Sequence, residues 1–166
     1  IAGGGFFILG QAHPLQAVLI TQVHFIKLRL FDTKGKEVAN TFYWRSNDKY
    51  EGRKTLTGPT SSGFEDLSKL KQVQLKTRYQ TYQEGDRHFI KAEIKNPSST
   101  VAFFTQLQLL GQDKKPVRPS FYTDNFFSLL PGESKTVIIE TAASDMPSEP
   151  TFVVKGWNIK PSSFKL

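Results

Sequence analysis

Asp124 and Asn125 stand in the run Ser120-Phe121-Tyr122-Thr123-Asp124-Asn125-Phe126-Phe127, where a carboxylate and an amide sit among aromatic rings. Aromatic faces stack on sugar rings while Asp and Asn hydrogen-bond hydroxyls. Phe121, Tyr122, Asp124 and Asn125 are therefore a chemically sensible set for carbohydrate or interdomain contact. The competing reading has Asp124 and Asn125 holding a turn through side-chain-to-backbone bonds, and turn chemistry favours it. Both readings stand at this point.

Bond-breaking chemistry finds little support elsewhere. Glycoside hydrolysis needs two carboxylates roughly 5–10 Å apart, one of them with a raised pKa. Asp32, Asp86, Asp113 and Glu133 lie in turn sequences and Glu93 on an outward strand position, so none reads as a buried, paired acid. His13, His24 and His88 are too far apart in sequence for the usual metal-ligand spacing. No G-x-S-x-G elbow or G-x-G-x-x-G loop occurs, and Gly3-Gly4-Gly5 lacks the Lys-Ser/Thr of a phosphate loop. No catalytic residue, metal ligand or cofactor site is assigned.

The elements that must position these residues are strands. Val23 to Leu30 alternates, placing Phe25 or Ile26 with Leu28 and Leu30 on one face and Lys27 and Arg29 on the other. Asp32 to Lys36 supplies a turn around Gly35, and Glu37 to Trp44 reads as the return strand. Residues 47–63 have loop and linker composition. Ser62 and Glu65 then fit an S-x-x-E capping box before one short helical turn.

Beyond it, Val73 to Tyr79 alternates, and Glu84-Gly85-Asp86 turns the chain into Phe89 to Ile94, with Ile90, Ala92 and Ile94 inward. Asn96-Pro97 breaks that strand, and Val101 to Leu110 follows with Phe103, Leu107 and Leu109 on one face. Phe126 to Leu129, a Pro131-Gly132 turn, Val137 and Ile139 continue the pattern, and Thr151 to Trp157 closes it. Short strands in quick succession predict an antiparallel immunoglobulin-like sandwich.

Composition bounds the rest. The 166 residues contain 14 Phe and no Cys, so the core holds by packing and not by disulfides. No apolar run approaches the ~20 residues of a membrane helix. The net charge of +7 divides between 8 basic and 4 acidic residues before Pro59 and 14 and 11 after it, without a basic arm. Scattered charge of that kind argues against nucleic acid as a partner. The start at Ile1 reads as processing, trimming or a fragment.

The stretches Leu28-Arg29-Leu30-Phe31-Asp32 and Asn40-Thr41-Phe42-Tyr43-Trp44-Arg45-Ser46 resemble the end of the sandwich domain that follows the catalytic barrel in family 2 glycoside hydrolases. The β-mannosidase and exo-β-glucosaminidase branch is the nearest. Phe64 to Lys76 looks like the connector to that family's last domain. Val101-Ala102-Phe103-Phe104, Asp124-Asn125-Phe126-Phe127 and Leu130-Pro131-Gly132-Glu133-Ser134 are similar to its C-terminal immunoglobulin-like domain. The likeness runs over roughly 23–160. Thr41 and Arg45 depart from the pattern, and residues 1–20 fall outside it.

The resemblance implies an all-β, non-catalytic accessory piece of such an enzyme. The expected layout is an apolar lead at 1–22, partial sandwich strands at 23–59, and a linker at 60–71. The immunoglobulin-like sandwich follows at 72–162, with a tail at 163–166. The implied partner is the parent's catalytic barrel, with oligosaccharide contact through the Phe121–Asn125 loop and an exported location. A free-standing carbohydrate-binding module, or an adhesive sandwich that self-associates through exposed strands, are the rival readings.

Overall fold

A computed structural model describes residues 23–46 and 64–166, in two units, Ile1–Lys69 and Leu70–Leu166. In the first unit β1 (Val23–Phe31) pairs antiparallel with β2 (Glu37–Ser46), from Val23 opposite Ser46 to Leu30 opposite Ala39. The Asp32 carboxylate closes the turn by accepting from the N–H groups of Lys34 and Lys36, both at 2.9 Å. Gly35 occupies φ +77°, where a Cβ would be strained.

The pairing is as the alternation predicts, but the burial is not. Leu28, Leu30 and Phe31 are exposed, as are Val38, Tyr43 and Trp44. A two-stranded ribbon has no second layer of its own to bury an apolar face. The short helical turn is present as a 3-10 segment, Glu65–Lys69, while Ser62 of the capping box lies outside the described residues.

The second unit is a sandwich of two four-stranded sheets. One has the order β10-β9-β5-β7, built from Ile159–Lys165, Thr151–Gly156, Ala102–Leu110 and Phe127–Leu129. The other has the order β3-β4-β8-β6, built from Lys76–Glu84, Arg87–Lys95, Ser134–Ala142 and Phe121–Tyr122. Ile90, Ala92 and Ile94 of β4 meet Ile139, Val137 and Lys135 of β8 in register, so the inward positions of the two strands stack in one row. With Leu107, Leu109, Phe152 and Val154 from the facing sheet they make the buried core. Before β3 begins, Val73 bridges to Ile159 of the other sheet, so this segment ties both layers together.

Two strand expectations are corrected. The series does not close at Trp157, because β10 adds a further strand. Residues 163–166 are correspondingly not a loose tail: Phe164 stacks on Phe152 at 5.7 Å and meets Tyr79 at a tilt at 5.4 Å, and Tyr79 donates its hydroxyl to the Lys165 carbonyl. The second correction concerns β5. Phe103 is buried, but Ala102 faces the core before Phe104, and Thr105, Leu107 and Leu109 are buried after it. The register against β7 slips between Ala102 and Thr105, and Phe104 sits at φ +57°. A bulge re-phases the strand there, which simple alternation does not anticipate.

Phe164→Ala is expected to destabilise the chain by about 2 kcal/mol, the cost of truncating a partly buried core ring. Urea unfolding measures it. An unchanged midpoint would return these residues to the status of a tail.

Candidate functional site

β5 carries the geometry of the candidate loop. β9 covers one edge of it from Gln106 to Leu110, whereas β7 reaches the other edge only at Ala102 and Thr105. The rest of that second edge must still bond its N–H and C=O groups. Side chains from the loop fill the gap. Asn125 accepts from the Leu107 N–H at 2.8 Å through Oδ1 and donates to the Leu107 carbonyl at 3.0 Å through Nδ2. The Tyr122 hydroxyl accepts from the Leu109 N–H at 2.9 Å, and the Val117 N–H donates to the Leu109 carbonyl at 3.0 Å. An amide supplies a donor and an acceptor together, so Asn125 mimics one residue of a missing strand.

The four candidate residues diverge from there. Phe121 and Tyr122 are consecutive in β6 and point to opposite faces. Tyr122 packs against the core, and Phe121 is 55% exposed on the outside of its sheet. Phe121 stands opposite Glu140, which stands opposite Phe89, whose ring stacks on Tyr82 at 5.0 Å. Glu140 is ion-paired with Arg87 at 2.9 Å. Asp124 is a turn carboxylate: Oδ1 accepts from the Asn125 N–H at 2.7 Å and Oδ2 is ion-paired with Lys135, whose ammonium lies 5.0 Å from the Phe127 ring centre. Three of the four polar or aromatic groups therefore serve the scaffold, and the ring of Phe121 is the one presented outward.

A shallow groove of about 200 Å³ follows the same edge, lined by Gln106, Gln108, Val117, Arg118, Tyr122 and Asn125 among others. Its lining holds no carboxylate and no histidine, so it has no acid–base pair. Elsewhere Glu133 accepts from the Leu130 N–H at 2.9 Å, and Asp113 accepts from the Lys115 N–H at 3.0 Å. Among the described residues no group of three or more His, Cys, Asp or Glu could hold a metal ion. His88 is half-buried in β4, and His13 lies outside the described residues.

Sequence reasoning missed two further asparagines that work as Asn125 does. The Asn158 side chain, buried, accepts from the Phe103 N–H and donates to the carbonyls of Val101 and Lys71, all at 2.8–2.9 Å. Asn96 donates to Thr100 and Leu129 and accepts from Ser98. The local signal at both is an Asn among turn residues; the long-range partners leave no mark in the sequence.

Two packed antiparallel sheets, linked by the segment at Val73 and with the rings of Tyr79, Phe152 and Phe164 in mutual contact, define an immunoglobulin-like β-sandwich domain. Within that class the chain belongs to the family described as "Exo-beta-D-glucosaminidase Ig-fold domain", whose model matches residues 55–159. An exo-β-D-glucosaminidase of Streptomyces avermitilis is 29% identical over 168 aligned positions, covering 95% of this chain and 19% of that protein. One from Amycolatopsis orientalis is 28% identical, covering 84% of this chain and 14% of that protein. The crystal structure of the exo-chitosanase CsxA of A. orientalis superposes with a TM-score of 0.74 at 26% identity, over 90% of this chain and 19% of that chain. The chain thus spans under a fifth of the length of these relatives. At 95% coverage the first alignment leaves out only about 8 of 166 residues, so the match extends into residues 1–20, which the resemblance by motif had left outside.

Asn125→Ala strips partners from both the N–H and the C=O of Leu107 and is expected to cost about 2–3 kcal/mol; Tyr122→Phe removes one acceptor and should cost about 1 kcal/mol. Chemical unfolding of the two variants checks the order. Burial pushes the Tyr122 pKa up, opposed by the hydrogen bond from the Leu109 N–H. The unfolded phenol ionises at about 10, before the folded one, so the folded state loses stability as pH rises past that value. Tyr122→Phe should flatten that loss.

Proposed function

We propose that this chain acts as the non-catalytic accessory sandwich of a family 2 exo-β-D-glucosaminidase. It braces the catalytic portion, and its outer face lies toward the sugar cleft. The observation that carries the reading is joint. The chain aligns with under a fifth of two exo-β-D-glucosaminidases, and the polar side chains of its best candidate loop are bound to its own backbone. A domain whose amides and hydroxyls close strand edges contributes rigidity, and bond cleavage falls to residues elsewhere in such an enzyme.

Edging of the cleft falls to Phe121, since its ring is the part of the loop that faces outward. It sits beside the Arg87–Glu140 pair, which offers both donors and acceptors to hydroxyls.

The purified 166-residue chain is expected to release no nitrophenol from p-nitrophenyl-β-D-glucosaminide above the buffer rate. Turnover by the chain alone would overturn the reading. In the whole enzyme, Phe121→Ala should raise KM with kcat little changed, because a ring at the cleft edge aids substrate binding without touching the chemical step. Unchanged kinetics would remove Phe121 from the cleft and leave the bracing role in place.

A further inference from the structure

Phe104 and Phe126 both hold φ +57°. The left-handed region is open to Gly and to some extent Asn, but for a bulky aromatic it is an outlier that persists only when the surroundings enforce it. The surroundings do so here. The Phe104 N–H donates to Ser128 Oγ at 3.2 Å, and the Phe126 N–H donates to Asn125 Oδ1 at 3.0 Å. Next to Phe104, the Phe103 N–H is held by Asn158 Oδ1 and its carbonyl by the Trp157 N–H at 3.0 Å. The turn carrying Trp157 comes close enough that a Cβ on Gly156 would lie 2.9 Å from the Phe104 carbonyl oxygen and 2.4 Å from Ile159 Cδ1.

The outcome of this bracing is an aromatic face, and little of it serves the core. The rings of Phe104 and Phe126 lie 5.7 Å apart, with Phe103 packed behind Phe104 at 5.4 Å. Phe104 is 38% exposed, Phe126 50% and Trp157 58%. None of the three belongs to the buried core cluster. Rigid exposed aromatics of this kind are the residues that anchor protein interfaces.

We infer that Phe104, Phe126 and Trp157 form the anchor by which this sandwich docks onto an apolar surface of the larger polypeptide it serves. The inference rests on the accessory-domain reading above. Three features choose that occupant. The relatives extend over more than four-fifths of their length beyond the matched stretch, so most of their polypeptide is available as a partner. Two copies of the sandwich unit, each with 13 Lys and Arg against 9 Asp and Glu over Leu70–Leu166, would bring like net charges together, which opposes self-association. A sugar would require side-chain hydrogen-bonding groups, and of the three residues only the Trp157 indole carries one.

Hydrogen exchange of the whole enzyme tests this, with peptides followed both in the sandwich and throughout the rest of the protein. Phe104→Asn and Phe126→Asn remove the rings while keeping a residue that tolerates the left-handed backbone. Trp157→Ala removes the third anchor, and Glu149→Ala, exposed at the opposite end of β9 from Trp157, is the control. The anchor variants are expected to speed exchange about tenfold in a segment outside this domain, with Glu149→Ala leaving that segment unchanged. If no outside segment responds to any anchor variant, the assignment is overturned. Concentration-dependent dimers abolished by Trp157→Ala, or protection appearing only with added glucosamine oligosaccharide, would overturn it in favour of a second copy or a sugar.

Deleting the sandwich separates the two ideas. If deletion leaves the remaining enzyme's stability and exchange untouched, the bracing reading itself fails. If deletion matters and the three anchor variants do not, only this face is wrong.

Discussion

Closing both edges of β5 is the constraint on which the sandwich depends. β5 runs through the middle of its sheet, yet its partner β7 is only three residues long, so hydrogen-bonding groups along half of one edge would otherwise be buried without partners. An unmade buried hydrogen bond costs far more than a made one returns. The chain meets the demand with side chains: Asn125 and Tyr122 along the strand, and Asn158 at its start. Much of the loop between β5 and β7 is thereby fixed. Tyr122 must point inward to reach Leu109, so Phe121 must point outward, and Asn125 must lie beside Leu107, so the neighbouring Asp124 turns toward Lys135.

The bulge at Phe104 belongs to the same accounting of bonds. Re-phasing β5 lets Ala102 and Leu107 both face the core despite the odd difference between their positions. The extra residue at the bulge is Phe104, whose N–H donates to the side-chain hydroxyl of Ser128 in β7. A glycine there would satisfy the backbone at no steric cost. That a phenylalanine stands in the position, and another in the same conformation at Phe126, separates what the strand needs from what its surface displays.

How much of this was legible in the sequence follows from the range of the forces involved. β4 and β8 were readable residue by residue, because an inward row of Ile90, Ala92, Ile94, Val137 and Ile139 repeats with period two and needs no knowledge of neighbours. The Pro131-Gly132 turn was equally local, and Gly132 does adopt φ +79°. β10 escaped because Pro161, Ser162 and Ser163 interrupt the apolar period, and its register against β9 slips at that point. β1 and β2 were recognisable as a hairpin, but their burial depends on what lies across them, and alternation says nothing about that. For the candidate loop, residue types were right and roles were not readable: Asn125 acts on Leu107, 18 positions away, and Asn158 on Phe103, 55 positions away.

The edges of the sandwich bear on how it can meet any partner. Each outer strand is blunted. β7 is three residues long and β6 two. β10 carries Pro161 and an irregular register, and β3 presents Lys76 and Arg78 on its outward positions. Lys76 stands directly opposite Lys95 of β4, a like-charge pair that weakens this end of the sheet, while the charges on β3 itself discourage another strand from adding beside it. Edges blunted in these ways favour association of this unit through side chains on its faces and ends. A scaffold of that design gains contact area by projecting rings from a rigid backbone. That is what a left-handed Phe104 and Phe126, pinned by Ser128 and Asn125, accomplish.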